Sequence, residues 1–443
     1  MKQSPELATR MTDKLDYEEM LGCMRCGFCL PTCPTYIRSK DESASPRGRI
    51  AIMKGVVDGL IEPDAGVEKT LNECLGCLAC EPACPAGVRY SVLLEDARAA
   101  ITEHKRATGQ MPVRERLVRK VVFDGLFLNK AKMETATGLL RFYQQSGVQT
   151  LTHKLRILDW FPDQLQKMET ILPTVPPKTE RKRRPELIQA TGATTARVAF
   201  FSGCLMDTMF YETNANTIKL LQAAGCDIVI PNAQQCCGAL HGHAGEQTGA
   251  VTLAKQNIAA FEAEDVDYII TNAGGCGAFL VGYDHLLKHD PEWAERAERF
   301  TAKIKDFASI LIEVGFLDRV PLALPEQLIT YQDSCHLRNV QKGALAPRFL
   351  LQAIEGAVYI EQKHADHCCG SAGVYNLLQP VIANDILEMK MGHVNATAAQ
   401  TIVTSNPGCH MQMQLGIQEH GTDSMRAVHL ADLLVEAMDH HAI

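Results

Sequence analysis

The sequence of 443 residues contains no run approaching the ~18 consecutive apolar residues that a membrane-spanning helix needs. Its start, Met1 to Asp13, is polar and of mixed charge and lacks the apolar segment of a secretion signal. The chain is therefore expected in the cytoplasm, at most peripheral at the inner face of the membrane. Positive charge is not in surplus either: 44 Lys and Arg stand against 52 Asp and Glu, a net charge of -8, which disfavours nucleic acid as the main partner. There is no Gly-x-Gly-x-x-Gly dinucleotide fingerprint, no P-loop and no nucleophile elbow. No catalytic residue for an organic step is assigned to this chain.

Against these absences stand 17 cysteines. In a large chain without an export signal, where thiols stay reduced, such a surplus points to metal binding or redox chemistry before structural disulfides. The length is too great for one core and implies two or three domains. Hydrophobic residues at 46% and charged residues at 22% are ordinary for globular folds.

Cys23, Cys26, Cys29 and Cys33, followed by Pro34, read C-x2-C-x2-C-x3-C-P, and Cys74, Cys77, Cys80, Cys84 and Pro85 repeat the spacing. Three thiolates two residues apart can wrap three irons of one [4Fe–4S] cube, while the fourth cysteine ligates the other cluster. Cys23, Cys26, Cys29 and Cys84 are thus expected on one cluster, and Cys74, Cys77, Cys80 and Cys33 on the second. Four thiolates also suit zinc, but zinc sites usually pair C-x2-C knuckles across a long gap. Helical apolar spacing over Arg49 to Asp58 and Ser91 to Glu103 predicts an all-α domain.

Residues 101–190 hold no cysteine and end in a basic run, Lys178 to Arg184, bracketed by Pro173, Pro176, Pro177 and Pro185. Such a run reads as a solvated linker, with a surface for an acidic partner as the alternative.

Cys204, Cys236, Cys237 and Cys276 are echoed by Cys335, Cys368, Cys369 and Cys409, and each copy contains a Cys-Cys-Gly triplet. The second half is therefore a tandem duplication. Short β-branched runs precede the first and last cysteine of each copy: Arg197 to Phe201 and Tyr268 to Thr271, then Leu328 to Tyr331 and Thr401 to Thr404. With helical patterns at Asn216 to Ala224 and Arg348 to Ile354 they give βαβ order, hence a parallel sheet with its sites beyond the strands' carboxyl ends. Vicinal cysteines also suit a redox disulfide or zinc, and these readings stay open here. Cys226 has no counterpart and reads as a small buried apolar residue. His336, His367 and His410 flank cysteines of the second copy, either supporting them or as ordinary histidines.

Taken with Cys26-Gly27-Phe28-Cys29, Ser45-Pro46-Arg47-Gly48-Arg49-Ile50, Gly275-Cys276-Gly277-Ala278-Phe279 and Cys368-Cys369-Gly370-Ser371-Ala372-Gly373, the chain resembles the iron–sulfur subunits of glycolate oxidase. The resemblance implies an α+β multidomain chain: a ferredoxin-like helical domain at 1–105, a helical basic linker region at 106–190, and two Rossmann-like α/β CCG domains at 191–322 and 323–443. It implies two [4Fe–4S] clusters in the first domain, further clusters in one or both CCG domains, and FAD on a partner subunit that oxidises glycolate to glyoxylate. Electrons would pass toward a quinone or other acceptor. Lactate, glycerol 3-phosphate or another 2-hydroxy acid is the alternative substrate. The chain is also similar to heterodisulfide reductase, a thiol/disulfide reductase whose CCG domains carry a fifth cysteine. Ala273 and Asn406 stand at that position here, which disfavours its five-thiolate cluster.

Overall fold

The computed structural model describes residues 5–441, so the first residues of the polar start, 1–4, lie outside the described residues, as do 442–443. Among the described residues no helix is long and apolar enough to cross a membrane.

The amino-terminal part is all helical, with Pro5–Lys14, Tyr17–Leu21, Pro34–Ser39, Pro46–Val57, Ala65–Asn72 and Tyr90–Ala107. Local chemistry starts these helices. Ser45 caps the fourth by accepting from Gly48 N, with Pro46 in the first turn where no N–H is needed. Asp64 accepts from Gly66 N and Val67 N at the head of the fifth. Met11, Met53, Leu71, Leu93 and Ala97 are fully buried between the helices, and Cys23, Cys29, Cys74 and Cys84 pack at the margin of that core.

A second helical stretch runs from Val113–Arg119 through a wide π-type turn, Lys120–Phe127, to Lys130–Gln145, Val148–Lys154, Asp163–Thr170 and Lys178–Arg183. It is packed to both halves of the molecule: Phe127 and Leu128 join the core of the first repeat, and Ile171 that of the second. The basic run departs in part from a solvated linker. Lys182 and Arg183 are exposed, but Arg184 pairs with buried Asp207 at 2.7 Å and lies over the Tyr211 ring.

Nine strands follow among the described residues. The first sheet has the order β1 (Leu187–Ile188), β3 (Cys226–Val229), β2 (Ala196–Phe200), β4 (Tyr268–Thr271), β5 (Ile304–Asp306), with only β1 antiparallel. The second has the order β7 (Glu355–Tyr359), β6 (Ala323–Tyr331), β8 (Thr401–Thr404), β9 (Arg426–His429), all parallel. Leaving β1 aside, the two sheets have one topology, as a duplication requires. The strand order reverses beside the central pair of each sheet, which opens a crevice at the carboxyl ends. Tyr211–Ala223, Phe307–Glu313 and Leu430–His441 share one core with both sheets, so the repeats pack as one body through Phe200, Ile270, Phe307, Ile329, Tyr331 and Val403. Cys226 is fully buried in that core, as a small apolar residue would be.

Candidate iron–sulfur centres

Each amino-terminal cysteine loop carries left-handed backbone at the same two places. Arg25 and Gly27 have φ of 55° and 91°, and Gly76 and Leu78, the equivalent residues of the second loop, 63° and 58°. For Arg25 and Leu78 this conformation costs about 1–2 kcal/mol each, so the surroundings impose it. It curls each loop around its cysteines and turns Gly76 N to within 3.4 Å of Cys74 Sγ.

Cys23, Cys26, Cys29 and Cys84 line one cavity together with Cys80, and Cys33, Cys74, Cys77 and Cys80 line a second. The fourth cysteine of each quartet is thereby placed beside the first three of the other. Cys26 is exposed, whereas Cys33 and Cys80 are buried.

Arg49 is the residue of this region that spacing alone did not single out. Its side chain is fully buried, with Nε donating to the Thr70 carbonyl at 2.8 Å and Nη1 to Thr35 Oγ1 at 3.2 Å, while Nη2 has no partner. Burial pushes the Cys74 thiol up, but Arg49 and Arg98 outweigh it and bring Cys74 below the ordinary thiol range. Cys77 and Cys80 are pushed well up by burial. The sequence signal for Arg49 was a charge on the apolar face of a helix.

In the first repeat Cys204 follows β2, Cys236 and Cys237 follow β3, and Cys276 follows β4, so all converge at the carboxyl edge of the sheet. Cys204 Sγ lies 3.5 Å from Cys236 Sγ, and Cys237 Sγ 3.4 Å from Cys276 Sγ. Cys237 is held well below the ordinary thiol range by its interactions with Cys236 and Cys276, both of which are pushed up. Gly238, at φ 88°, turns the chain so that its N–H faces Cys236 Sγ at 3.5 Å. Asn257 and Tyr283 fix the vicinal pair from behind, donating to the carbonyls of Cys236 at 2.9 Å and Cys237 at 2.6 Å.

The second repeat brings together Cys335, Cys368, Cys369 and Cys409 in the same way, after β6, β7 and β8. Gly370 has φ 94°, and a Cβ there would sit 2.7 Å from the Ala383 carbonyl oxygen, so only glycine fits. Asn406, at the position of the missing fifth cysteine, points Nδ2 at Cys409 Sγ at 3.6 Å and accepts from Gly275 N of the first repeat at 3.0 Å. Of the flanking histidines, His336 reaches the amino-terminal domain, His367 stacks on His364 with ring centroids 4.3 Å apart, and His410 packs beside Phe210.

Three family models match parts of the chain. The family "4Fe-4S dicluster domain" matches residues 19–88, "Glycolate oxidase iron-sulfur subunit, linker region" matches 114–172, and "Cysteine-rich domain" matches 198–281 and 329–414. The chain is 55% identical over 442 residues to the "Probable glycolate oxidase iron-sulfur subunit" of Bacillus subtilis (strain 168), covering 99% of this chain and 98% of that one. The chain belongs to the glycolate oxidase iron–sulfur subunit family. The "Glycolate oxidase iron-sulfur subunit" of Escherichia coli (strain K12) is 30% identical over 426 residues, 94% of each chain. "Lactate utilization protein A" of Geobacillus thermodenitrificans (strain NG80-2) is 31% identical over 238 residues, 54% of this chain and 98% of that one.

Membership in the glycolate oxidase iron–sulfur subunit family makes the chain an iron–sulfur subunit of an oxidoreductase, built for electron transfer. The residues fit iron–sulfur clusters. Five thiols line the first amino-terminal cavity and four the second, with Cys80 shared, and the orphaned Arg49 Nη2 in the second is a donor suited to an anionic sulfur cage.

Proposed function

We propose that the chain is the electron-transfer subunit of a glycolate-oxidising complex, taking electrons from a partner subunit that carries FAD and passing them toward a quinone or similar acceptor. In this reading Cys23, Cys26, Cys29 and Cys84 hold one [4Fe–4S] cluster, and Cys74, Cys77, Cys80 and Cys33 the other. Cys204, Cys236, Cys237 and Cys276, and Cys335, Cys368, Cys369 and Cys409, offer two further sites. The four-part division at 1–105, 106–190, 191–322 and 323–443 belongs to the same reading.

A bound cluster supplies one-electron acceptance and release, which suits it to follow a flavin that takes an electron pair from a hydroxy acid. The chain's own residues supply position and environment. Cys26 is exposed between Met24 and Phe28, which are 67% and 66% exposed, so the first amino-terminal site faces solvent with an apolar rim fitted to an electron-donating partner. Cys33 and Cys80 of the second site are buried, and its Leu75 and Cys77 pack in one apolar group with Cys335 and Cys368.

The observation that carries the proposal is this juxtaposition: the first amino-terminal site lies at an exposed edge and shares Cys80 with the second, which packs against Cys335 and Cys368 of the second repeat. Purifying the native complex and assaying dye reduction with glycolate, lactate and glycerol 3-phosphate tests it. Glycolate-dependent reduction that is lost when Cys77 is replaced by Ser is the expected result. A complex active only with another substrate would replace glycolate in the proposal.

A further inference from the structure

The two cysteine repeats share a fold but differ in charge. In each, a helix of 16 residues packs behind the vicinal pair: Gln247–Glu262 in the first and Pro380–Asn395 in the second. The fourth residue of each helix, Ala250 or Ala383, lies against the glycine of the Cys-Cys-Gly triplet, which fixes the correspondence. The eleventh residue is then Asn257 in the first repeat and Lys390 in the second.

Asn257 is fully buried and satisfied, donating to the Cys236 carbonyl at 2.9 Å and to Tyr283 Oη at 3.1 Å and accepting from Gln235 N at 2.8 Å. Lys390 is 2% exposed, and its ammonium donates to the His364 carbonyl at 2.5 Å. Among the described residues no carboxylate forms an ion pair with it. Asp366 and Asp333 lie in the same region and act on its charge more weakly than Cys369 and Cys368, and Asp333 is already paired with Arg338 and Arg348. A buried ammonium without an anion is costly by several kcal/mol, and a nearby anionic centre offsets that cost. The thiols that face Lys390 most strongly are Cys369 and Cys368.

We propose that Lys390 sets the reduction potential of a cluster held by Cys335, Cys368, Cys369 and Cys409, making the second repeat the higher-potential of the two repeat sites. The inference rests on the reading that the second repeat holds a cluster. A cluster gains a negative charge on reduction, so a fixed buried cation favours its reduced form and raises its potential. The neutral Asn257 gives the first repeat no such bias.

The test uses the full chain purified anaerobically, with iron analysis and a redox titration followed by electron paramagnetic resonance. The variant Cys369→Ser identifies the signal of the second repeat. Lys390→Gln retains a donor for the His364 carbonyl and removes the charge, and Lys390→Met removes both. Lys390→Arg restores the charge. The expected result is a lowered midpoint potential, or loss of iron, confined to the second-repeat signal in both neutral variants and recovered in Lys390→Arg. Unchanged potentials with full iron in Lys390→Gln overturn the proposal. So does misfolding of all three variants alike, which makes the lysine a packing residue. Wild-type protein whose iron is confined to the amino-terminal quartets overturns the underlying reading as well, and is recognised separately because it appears before any variant is made.

Discussion

The His336 ring of the second repeat donates from Nε2 to the Gly76 carbonyl, 2.8 Å away and 260 positions earlier in the chain. Two neighbours repeat the gesture: Asn339 Nδ2 donates to the Cys77 carbonyl at 2.9 Å and Tyr375 Oη to the Glu73 carbonyl at 2.8 Å. Three carbonyls in and beside one cysteine loop, those of Glu73, Gly76 and Cys77, are thus held by one domain. Removing two of these bonds in Asn339→Ala with Tyr375→Phe should cost about 2 kcal/mol, at about 1 kcal/mol for each hydrogen bond. Denaturant unfolding measures that loss. A magnetic interaction between the second amino-terminal cluster and its neighbour should weaken in the same variant.

Arg184 and Asp207 form an ion pair at 2.7 Å with side chains 12% and 8% exposed. Arg184→Ala strands a buried carboxylate and should destabilise by about 3–5 kcal/mol. Lys182→Ala, two residues earlier and exposed, should stay within about 0.5 kcal/mol of the wild type. Thermal unfolding of the two variants side by side checks the contrast.

His429 ties the repeats together, accepting at Nδ1 from Ala431 N at 3.2 Å and donating from Nε2 to the Asn272 carbonyl at 2.9 Å. Burial pushes its pKa from 6.5 down to about 4, so the folded protein keeps it neutral. The unfolded chain binds this proton first as pH falls, so the stabilisation is complete above about pH 6.5 and is lost progressively toward pH 4. The loss is on the order of 3 kcal/mol. Unfolding free energies across that window should show the slope, and His429→Gln should reduce it, leaving the share of His336, His367 and His410, which burial also lowers to about 4.

Much of the site was legible because ligand spacing is local. The loop from Cys74 to Cys80 must curl to bring its thiols together, and Gly238 and Gly370 mark turns that only glycine makes easily. The strands Tyr268–Thr271 and Thr401–Thr404 were legible from unbroken β-branched runs buried on both faces. The contacts between domains were not, because nothing near Gly76 specifies His336. Arg49 and Lys390 were hidden for a related reason: a lone charge on a helix reads as solvent-facing until the structure covers it. Arg184 escaped as the last residue of a basic run whose members part ways only in three dimensions.

The placement of Cys33 beside Cys74, Cys77 and Cys80 makes a variant with a directional outcome. In Cys33→Ser a harder and far less acidic ligand replaces the thiolate, so the cluster of the second loop should shift its potential or lose an iron. Cys84→Ser should instead disturb the cluster of the first loop. Redox titration that follows each cluster by its own signal distinguishes them, and damage confined to the sequence-local cluster in both variants would exchange the two ligands.

The most direct measurement is metal and sulfide analysis of the full chain purified without oxygen. About eight irons with matching acid-labile sulfide are expected from the two amino-terminal quartets, and up to about four more for each filled repeat. Stoichiometric zinc in place of iron, with no labile sulfide, would contradict it.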